Sequence, residues 1–428
     1  IHFVMGLALL LGMWQFTRYH VPEISSSALS LLVFYTIQTV FMLSHVAYND
    51  LTVTLYAFLA VYAFVNWCDR RNRPWLIWSG VFTGLAMATK YTALFLPFLG
   101  CLGILWHCRQ RRMTHQQAFG SLLLYVVCAF AVGCPFYVKN WVLAGNPFYP
   151  FLYGFFGGLG WDPEQARLYD VFVNSLGMGR RLLDYLLLPW NLSVHAQLDS
   201  PKFDGLVGPI FLLTLPFAFG MRKIAMGAKI GLVYALLTFM FWASAAQQIR
   251  YLVPIFPFLA IMVAYIVSYY RHQRLVFGML VLLIGGSLGI NGYHVVKHFF
   301  KVRPWGVVLG HENREAFLSR MLPSYDMFLY VNDNLPDDTK VFLVYMKNVG
   351  YLCDRPYYSD SMFESYTIQK ILAQGRRPLD VYQILKKKGF THVLYDVNYV
   401  FGPLSTFSPE ENEAVIGRFL EQQPDFIV

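Results

Sequence analysis

The feature that most constrains this chain is a succession of apolar runs, each close to the roughly 20 residues that a helix needs to cross a hydrocarbon core. Read as helices, they are Ile1–Phe16, Ile24–Ala47, Asp50–Trp67, Trp75–Ala88, Thr92–His107, Phe119–Pro135, Leu206–Phe219, Ile230–Ala246, Tyr251–Tyr270 and Leu275–Tyr293. Of the 428 residues 56% are hydrophobic and 14% charged, too few charges to clothe a soluble fold of that size. The expected class is an α-helical polytopic membrane protein of about ten spans, residues 1–293, followed by a small soluble α/β domain, residues 294–428. The first run has no initiator Met, basic flank or small-residue cleavage site. It does not read as a signal peptide, and the chain reads as cut into at its N-terminus.

The net charge of +9 does not imply nucleic acid, because the Lys and Arg fall largely in short loops between apolar runs, where they set orientation. Arg18, Arg70-Arg71, Arg109 to Arg112, Arg222-Lys223 and Arg271 to Arg274 lie at alternate ends of the spans and are expected to be cytoplasmic. Asp50, Lys90, the loop 136–205, Arg250 and the C-terminal domain then share the extracytoplasmic side. The six cysteines lie mostly in or beside apolar runs, without the spacing of a disulfide framework or a zinc site.

Three ionisable residues stand at that side. Asp50 follows Tyr48-Asn49 in a polar hinge between two runs; it reads either as a cap of the next helix or as an acid kept at a membrane face for function. Lys90 joins two runs too short to cross fully, so it is expected below the membrane surface, facing an anion or cavity, or snorkelling to headgroups. Gly80 and Gly84, at small-xxx-small spacing before it, are a packing signal. Arg250 precedes a helix whose first turns contain Pro254 and Pro257. Its planar fork suits phosphate or carboxylate, though a snorkelling arginine reads the same way.

The loop 136–205 opens with Lys139-Asn140-Trp141 and is dense in aromatics from Phe148 to Phe156, as an interfacial segment would be. An amphipathic helix is expected from Pro163 to Leu188, its charges mostly a solvated face. Asn191-Leu192-Ser193 is a weak glycosylation sequon. In the C-terminal domain, strands are expected at Lys340–Tyr345 and His392–Tyr395, and helices at Tyr325–Leu335, Pro378–Lys388 and Pro409–Gln422. Asp354, Asp360 and Asp396 are assigned there to turns and caps.

Together, Tyr48-Asn49-Asp50, Gly80-x3-Gly84-x5-Lys90-Tyr91-Thr92, the stretch KNWVLAGNPFYPF from Lys139 to Phe151, and Arg250-Tyr251-Leu252-x-Pro254 resemble the GT-C membrane glycosyltransferases. The similarity runs over most of the chain and is nearest the bacterial branch of protein O-mannosyltransferases and lipid A aminoarabinose transferases. The resemblance implies a polyprenyl-phosphate sugar donor, attacked on the extracytoplasmic face of a bacterial inner membrane by an acceptor hydroxyl or phosphate. Such a transfer needs a carboxylate for the acceptor's proton and cations for the leaving phosphate. Asp50 fits the first role; Lys90 and Arg250, with Lys139 and Asn140, fit the second. A divalent cation is left open.

The family carries its leading acid in the first outer loop, which would precede Ile1. Two alternatives therefore stand beside the enzyme: a non-catalytic GT-C-like subunit of a larger membrane complex, and a transporter, against which the lack of a repeated hydropathy pattern counts.

Overall fold

The computed structural model describes residues 1–21, 23–346, 349–359, 367–368, 370–371, 374–375 and 378–396. The chain divides into two units, Ile1–Lys301 and Val302–Val428. The division falls later than Tyr293 because the last long apolar helix continues to Val302.

The main helices of the first unit are α1 (His2–His20), α2 (Ile24–Tyr35), α3 (Gln38–Ser44), α4 (Asp50–Arg70), α5 (Arg73–Thr89), α6 (Leu96–Gln110), α7 (His115–Ala144), α8 (Pro163–Ser175), α9 (Met226–Ser244), α10 (Phe256–Tyr270) and α11 (Arg274–Val302). Among the described residues six stretches of helix are long and apolar enough to cross a membrane: α4, α6 with the 3₁₀ turn before it, α7, α9, α10 with the 3₁₀ turn before it, and α11. The bent pair α2 and α3 makes a seventh if it counts as one span. These helices are consistent with a membrane protein, and the expected ten is corrected downward.

The reasons are local. The run Ile24–Ala47 is broken at Thr36–Ile37 by a bend of 80°. Leu206–Phe219 yields only a short α-helix, Ile210–Thr214, and a 3₁₀ stretch, Leu215–Gly220. α1 carries Gln15, Arg18 and His20 in its last turns, and α5, at 17 residues, is as short as expected. In the other direction, α7 does not stop at Pro135. It runs from a Thr114–Gln117 capping box to Gly145, whose φ of +72° ends it in the left-handed conformation that glycine adopts freely.

Two helices form the centre of this unit. In α4, and in α10 with its preceding turn, 78% of the apolar window is buried, against 22–39% for the other four spanning candidates. A helix apolar and buried on all sides belongs inside a bundle. Phe58 of α4 stacks on Phe258 of α10 at 5.0 Å, and Phe16 of α1 meets both rings edge-on. α5 packs between α4 and α7. Gly80 makes that approach possible, since a Cβ there would meet Tyr125 O at 2.7 Å and Cys128 Cβ at 2.8 Å.

The segment after α7 is less of a loop than expected, because residues 136–144 are helical. The amphipathic helix ends at Ser175, where Gly177 and Gly179 take positive φ; short helices follow at Leu182–Leu186 and Leu188–Val194.

The second unit holds α12 (Tyr325–Asn334), β1 (Val341–Val344), β2 (Tyr357–Ser359), α13 (Pro378–Lys387) and β3 (His392–Tyr395). The strands form a parallel sheet in the order β2-β1-β3, with Val341 opposite both Tyr357 and His392. Alternation along β1 explains the layers: Val341 and Leu343 pack with Phe328 and Val331 of α12, while Phe342 and Val344 pack with Val381 and Leu385 of α13. β2 has no counterpart in the sequence expectations. The expected helix Pro409–Gln422 and Asp360 lie outside the described residues.

Candidate functional site

The two central helices begin at the same end of the first unit, and their first turns bring the site together. Asp50 opens α4 and is 1% exposed. Lys90 sits at the junction between α5 and the 3₁₀ turn Tyr91–Phe95, in extended backbone that turns its side chain inward. Its Nζ forms an ion pair with Asp50 Oδ1. Arg250 lies on the 3₁₀ turn Ile249–Tyr251, one of two 3₁₀ turns before α10 in the segment that Pro254 and Pro257 were expected to disturb.

Both cations meet the ring of Tyr251, with Lys90 Nζ 4.4 Å and Arg250 Cζ 5.0 Å from its centroid. Arg250 also stands 5.2 Å from the Tyr48 centroid. Both faces are cation–π contacts, which temper a positive charge without neutralising it. Arg250 Nε donates to Gln248 Oε1 at 3.0 Å, and one terminal nitrogen donates to the Tyr251 hydroxyl at 3.1 Å. Gln248 Nε2 in turn donates to Asp204 Oδ2 at 2.6 Å. Asp50, Lys90 and Arg250, far apart in the chain, therefore share one cluster.

Capping does not account for Asp50. No side chain of Asn49 or Asp50 caps α4. The Leu51 N–H donates instead to His2 Nε2 at 2.8 Å, and His2 Nδ1 lies 3.0 Å from Val46 O, so the Nδ1–H tautomer satisfies both bonds. Asn49 Nδ2 donates to Thr89 O at 2.9 Å, tying the start of α4 to the end of α5 beside Lys90. Asp50 Oδ2 is buried with no hydrogen-bond partner among the described residues.

Asn140 and Lys139 part company. Asn140 Nδ2 donates to the Tyr91 hydroxyl, which donates to Tyr149 O, both at 2.8 Å, so Asn140 fixes the residue next to Lys90. Adjacent residues on a helix point about 100° apart. Lys139 is accordingly exposed, its amine 4.8 Å from the Phe136 ring, and none of its described contacts joins it to the cluster. Asn146, in the same stretch, is fully buried and bonds Phe151 O, Gly157 O and the Phe148 N–H, a structural knot for the loop.

Sequence reasoning passed over Tyr251, Tyr48, Gln248, Asp204 and His2 as site residues. The polar pair Gln247-Gln248 before Arg250 was the available signal for Gln248; His2 gave none, since its partners come from another helix. Tyr169 of α8 also reaches this region, packing on Phe151 at 5.3 Å. Burial pushes its hydroxyl up to about 12, with Tyr251 and Asp170 adding to the shift and Arg250 opposing it.

Asp50 faces both cations directly and Asp204 reaches Arg250 only through Gln248, so two cations stand side by side where an anion can take their remaining N–H donors. A divalent cation is less well served. Among the described residues no three His, Cys, Asp or Glu side chains converge, and the carboxylate of the cluster is held by Lys90. The residues present do not make a cage for such an ion.

Fold and site thus define a helical protein, consistent with a membrane protein, that carries a buried cationic cluster at one end of its bundle. It belongs to the family described as Domain of unknown function (DUF8201), whose model matches residues 1–257 and so takes in the whole cluster. No curated protein matches the chain.

Proposed function

We propose that this chain is a membrane glycosyltransferase that moves a sugar from a polyprenyl-phosphate donor to an acceptor on the extracytoplasmic face of a bacterial inner membrane. The observation that carries this reading is the meeting of Lys90 and Arg250 on the ring of Tyr251, beside the buried carboxylate of Asp50. In support, Tyr251 and Pro254 also line a small apolar pocket of about 30 Å³ with Phe95, Leu96 and Tyr234, so the cluster borders apolar side chains.

In the proposed reaction an acceptor oxygen forms a bond to the anomeric carbon as the bond from that carbon to the donor phosphate breaks. The phosphate leaves with the electron pair, and Lys90 and Arg250 stabilise the charge it gains. Asp50 holds Lys90 through their ion pair. When the phosphate takes Lys90, the Asp50 carboxylate is released to accept the acceptor's proton, which gives the burial of this acid a mechanistic use. Asn140 acts through Tyr91 as a positioning residue, and Lys139 stays outside the phosphate contacts.

The test is transfer and donor binding by the full-length protein in liposomes containing undecaprenyl phosphate or its glycosylated form. Arg250→Ala and Lys90→Ala should each weaken lipid-phosphate binding by about tenfold or more, the scale of a lost charge-assisted hydrogen bond. Wild-type protein that binds no polyprenyl phosphate overturns the reading. Binding without turnover, together with stable co-purifying membrane subunits, moves the assignment to a non-catalytic subunit.

A further inference from the structure

A second cavity lies along the bundle away from the cluster. It has a volume of about 310 Å³ and is walled mainly by apolar side chains of α4, α6, α7 and α9, among them Phe64, Leu99, Trp106 and Tyr234, with Ser79 and Thr83 of α5. The one charged side chain that lines it is Lys229, exposed in the first turn of α9. Phe64 stands about 21 Å along α4 from Asp50. Trp106 is likewise near the far end of α6, and Lys229 is at the end of α9 remote from Arg250. The Lys229 mouth is therefore at the opposite end of the bundle from the cationic cluster.

That end is strongly basic. Arg109 closes α6, Arg111 and Arg112 follow it, Arg222 and Lys223 precede α9, and all five are exposed. None of them, nor Lys229, joins an ion pair with a described residue. Asp69 is the acid nearby, and the first turn of α9 holds no acidic residue. An apolar cavity between membrane helices takes hydrocarbon, and its cationic mouth selects the headgroup. Trp106, 39% exposed, has the amphipathic ring suited to the boundary between the two.

We propose that this cavity holds an acyl chain of an anionic phospholipid, with the lipid headgroup on Lys229. The proposal uses neither Lys90 nor Arg250, although Leu96, Leu99 and Tyr234 line both this cavity and the pocket at Tyr251. Its ligand comes from the leaflet at the other end of the bundle. Bound there, the lipid fills the space between α4, α6 and α9 and fixes their spacing.

The experiment is native mass spectrometry of the full-length protein released from vesicles of equimolar phosphatidylcholine and phosphatidylglycerol. Wild type should retain phosphatidylglycerol over phosphatidylcholine by about fivefold, the ratio that one basic residue at a charged surface supports. Lys229→Glu should abolish that preference with an unchanged melting temperature, and Lys229→Gln should reduce it. Val233→Trp, which fills the mouth of the cavity, should reduce retention of both lipids. Retention at the bulk ratio by wild type, or a preference that survives Lys229→Glu, overturns the proposal. So does displacement of the retained lipid by added undecaprenyl phosphate in a manner sensitive to Lys90→Ala and insensitive to Lys229→Glu, which would give the cavity to a donor tail.

Discussion

Removing both partners of the Asp50–Lys90 pair should cost clearly less than the sum of removing each alone. Asp50 is 1% exposed and the Lys90 side chain 18%, so neither charge is well solvated once its partner is gone. Breaking a buried pair from one side costs about 3–5 kcal/mol, because the remaining charge is left uncompensated. Lys90→Met should fall at the low end, about 3 kcal/mol, since Arg250 also faces the carboxylate. Asp50→Asn should cost less, about 2 kcal/mol, because the Lys90 amine keeps the face of Tyr251 and some access to water. The double variant Asp50→Asn/Lys90→Met restores charge balance, so the two effects should fail to add by about 2 kcal/mol. At about 2–4 °C per kcal/mol for a larger domain, Lys90→Met should melt roughly 6–12 °C below wild type. The assay is thermal unfolding of detergent-purified full-length protein, with all four members of the cycle in one buffer. Additive losses, or an unchanged melting temperature for Lys90→Met, would refute the buried pairing.

Gly80→Leu should abolish a monodisperse folded protein in size-exclusion chromatography, because backbone and a Cβ of α7 already stand where the new side chain must go. Tyr91→Phe leaves Asn140 Nδ2 and Tyr149 O without their shared partner and should cost about 1–2 kcal/mol in thermal unfolding, with Asn140→Ala costing less. Burial lowers the His45 pKa from the ordinary 6.5; its stabilising contribution is therefore complete above about pH 6.5 and is lost as pH falls through the lowered value. An NMR titration of His45 with a midpoint at or above 6.5 would contradict this. In the second unit Arg320 holds the Glu312 carboxyl below its ordinary value by hydrogen bonding, so that contribution is present above about pH 4.5 and lost as pH falls below it. Glu312→Gln should remove that part of the acid dependence of unfolding.

What the sequence disclosed depended on whether the signal was local. β1, β3, α12 and α13 follow from periodicity and flanking turns, and their observed bounds lie within a residue of the expected ones. β2 is three residues long with two exposed side chains, so it leaves almost no alternation to read. Gly80 and Gly84 announced a close helix contact, but which helix approaches is a long-range fact. The number of spans was overstated because apolar content does not report a bend: Thr36 and Gln38 are the only polar marks at the break, and in Leu206–Phe219 the prolines at 209 and 216 leave little α-helix within an apolar run. Pro135 misled in the opposite sense, since a proline within a long apolar helix is tolerated where neighbours satisfy the freed backbone. At the site, Asp50, Lys90 and Arg250 were legible because each is hard to place singly in an apolar chain. Tyr251 was not, because one tyrosine among 28 carries no mark of the two cations that meet it.

The weight given to an anion-using function rests on an asymmetry within the cluster. A scaffold that needed only to join α4, α5 and α10 would be held at least as well by apolar side chains, because burying an ion pair recovers little beyond its desolvation cost. Adding Arg250 to that pair makes the balance worse for folding, since two cations then share one carboxylate and two tyrosine faces. Gln248 and Asp204 hold the guanidinium in place from behind, so its position is built and does not follow from a long side chain seeking water. In the transferase we propose, the donor phosphate supplies the negative charge that Lys90 and Arg250 face, and the unpartnered Asp50 oxygen is the one that takes the acceptor's proton.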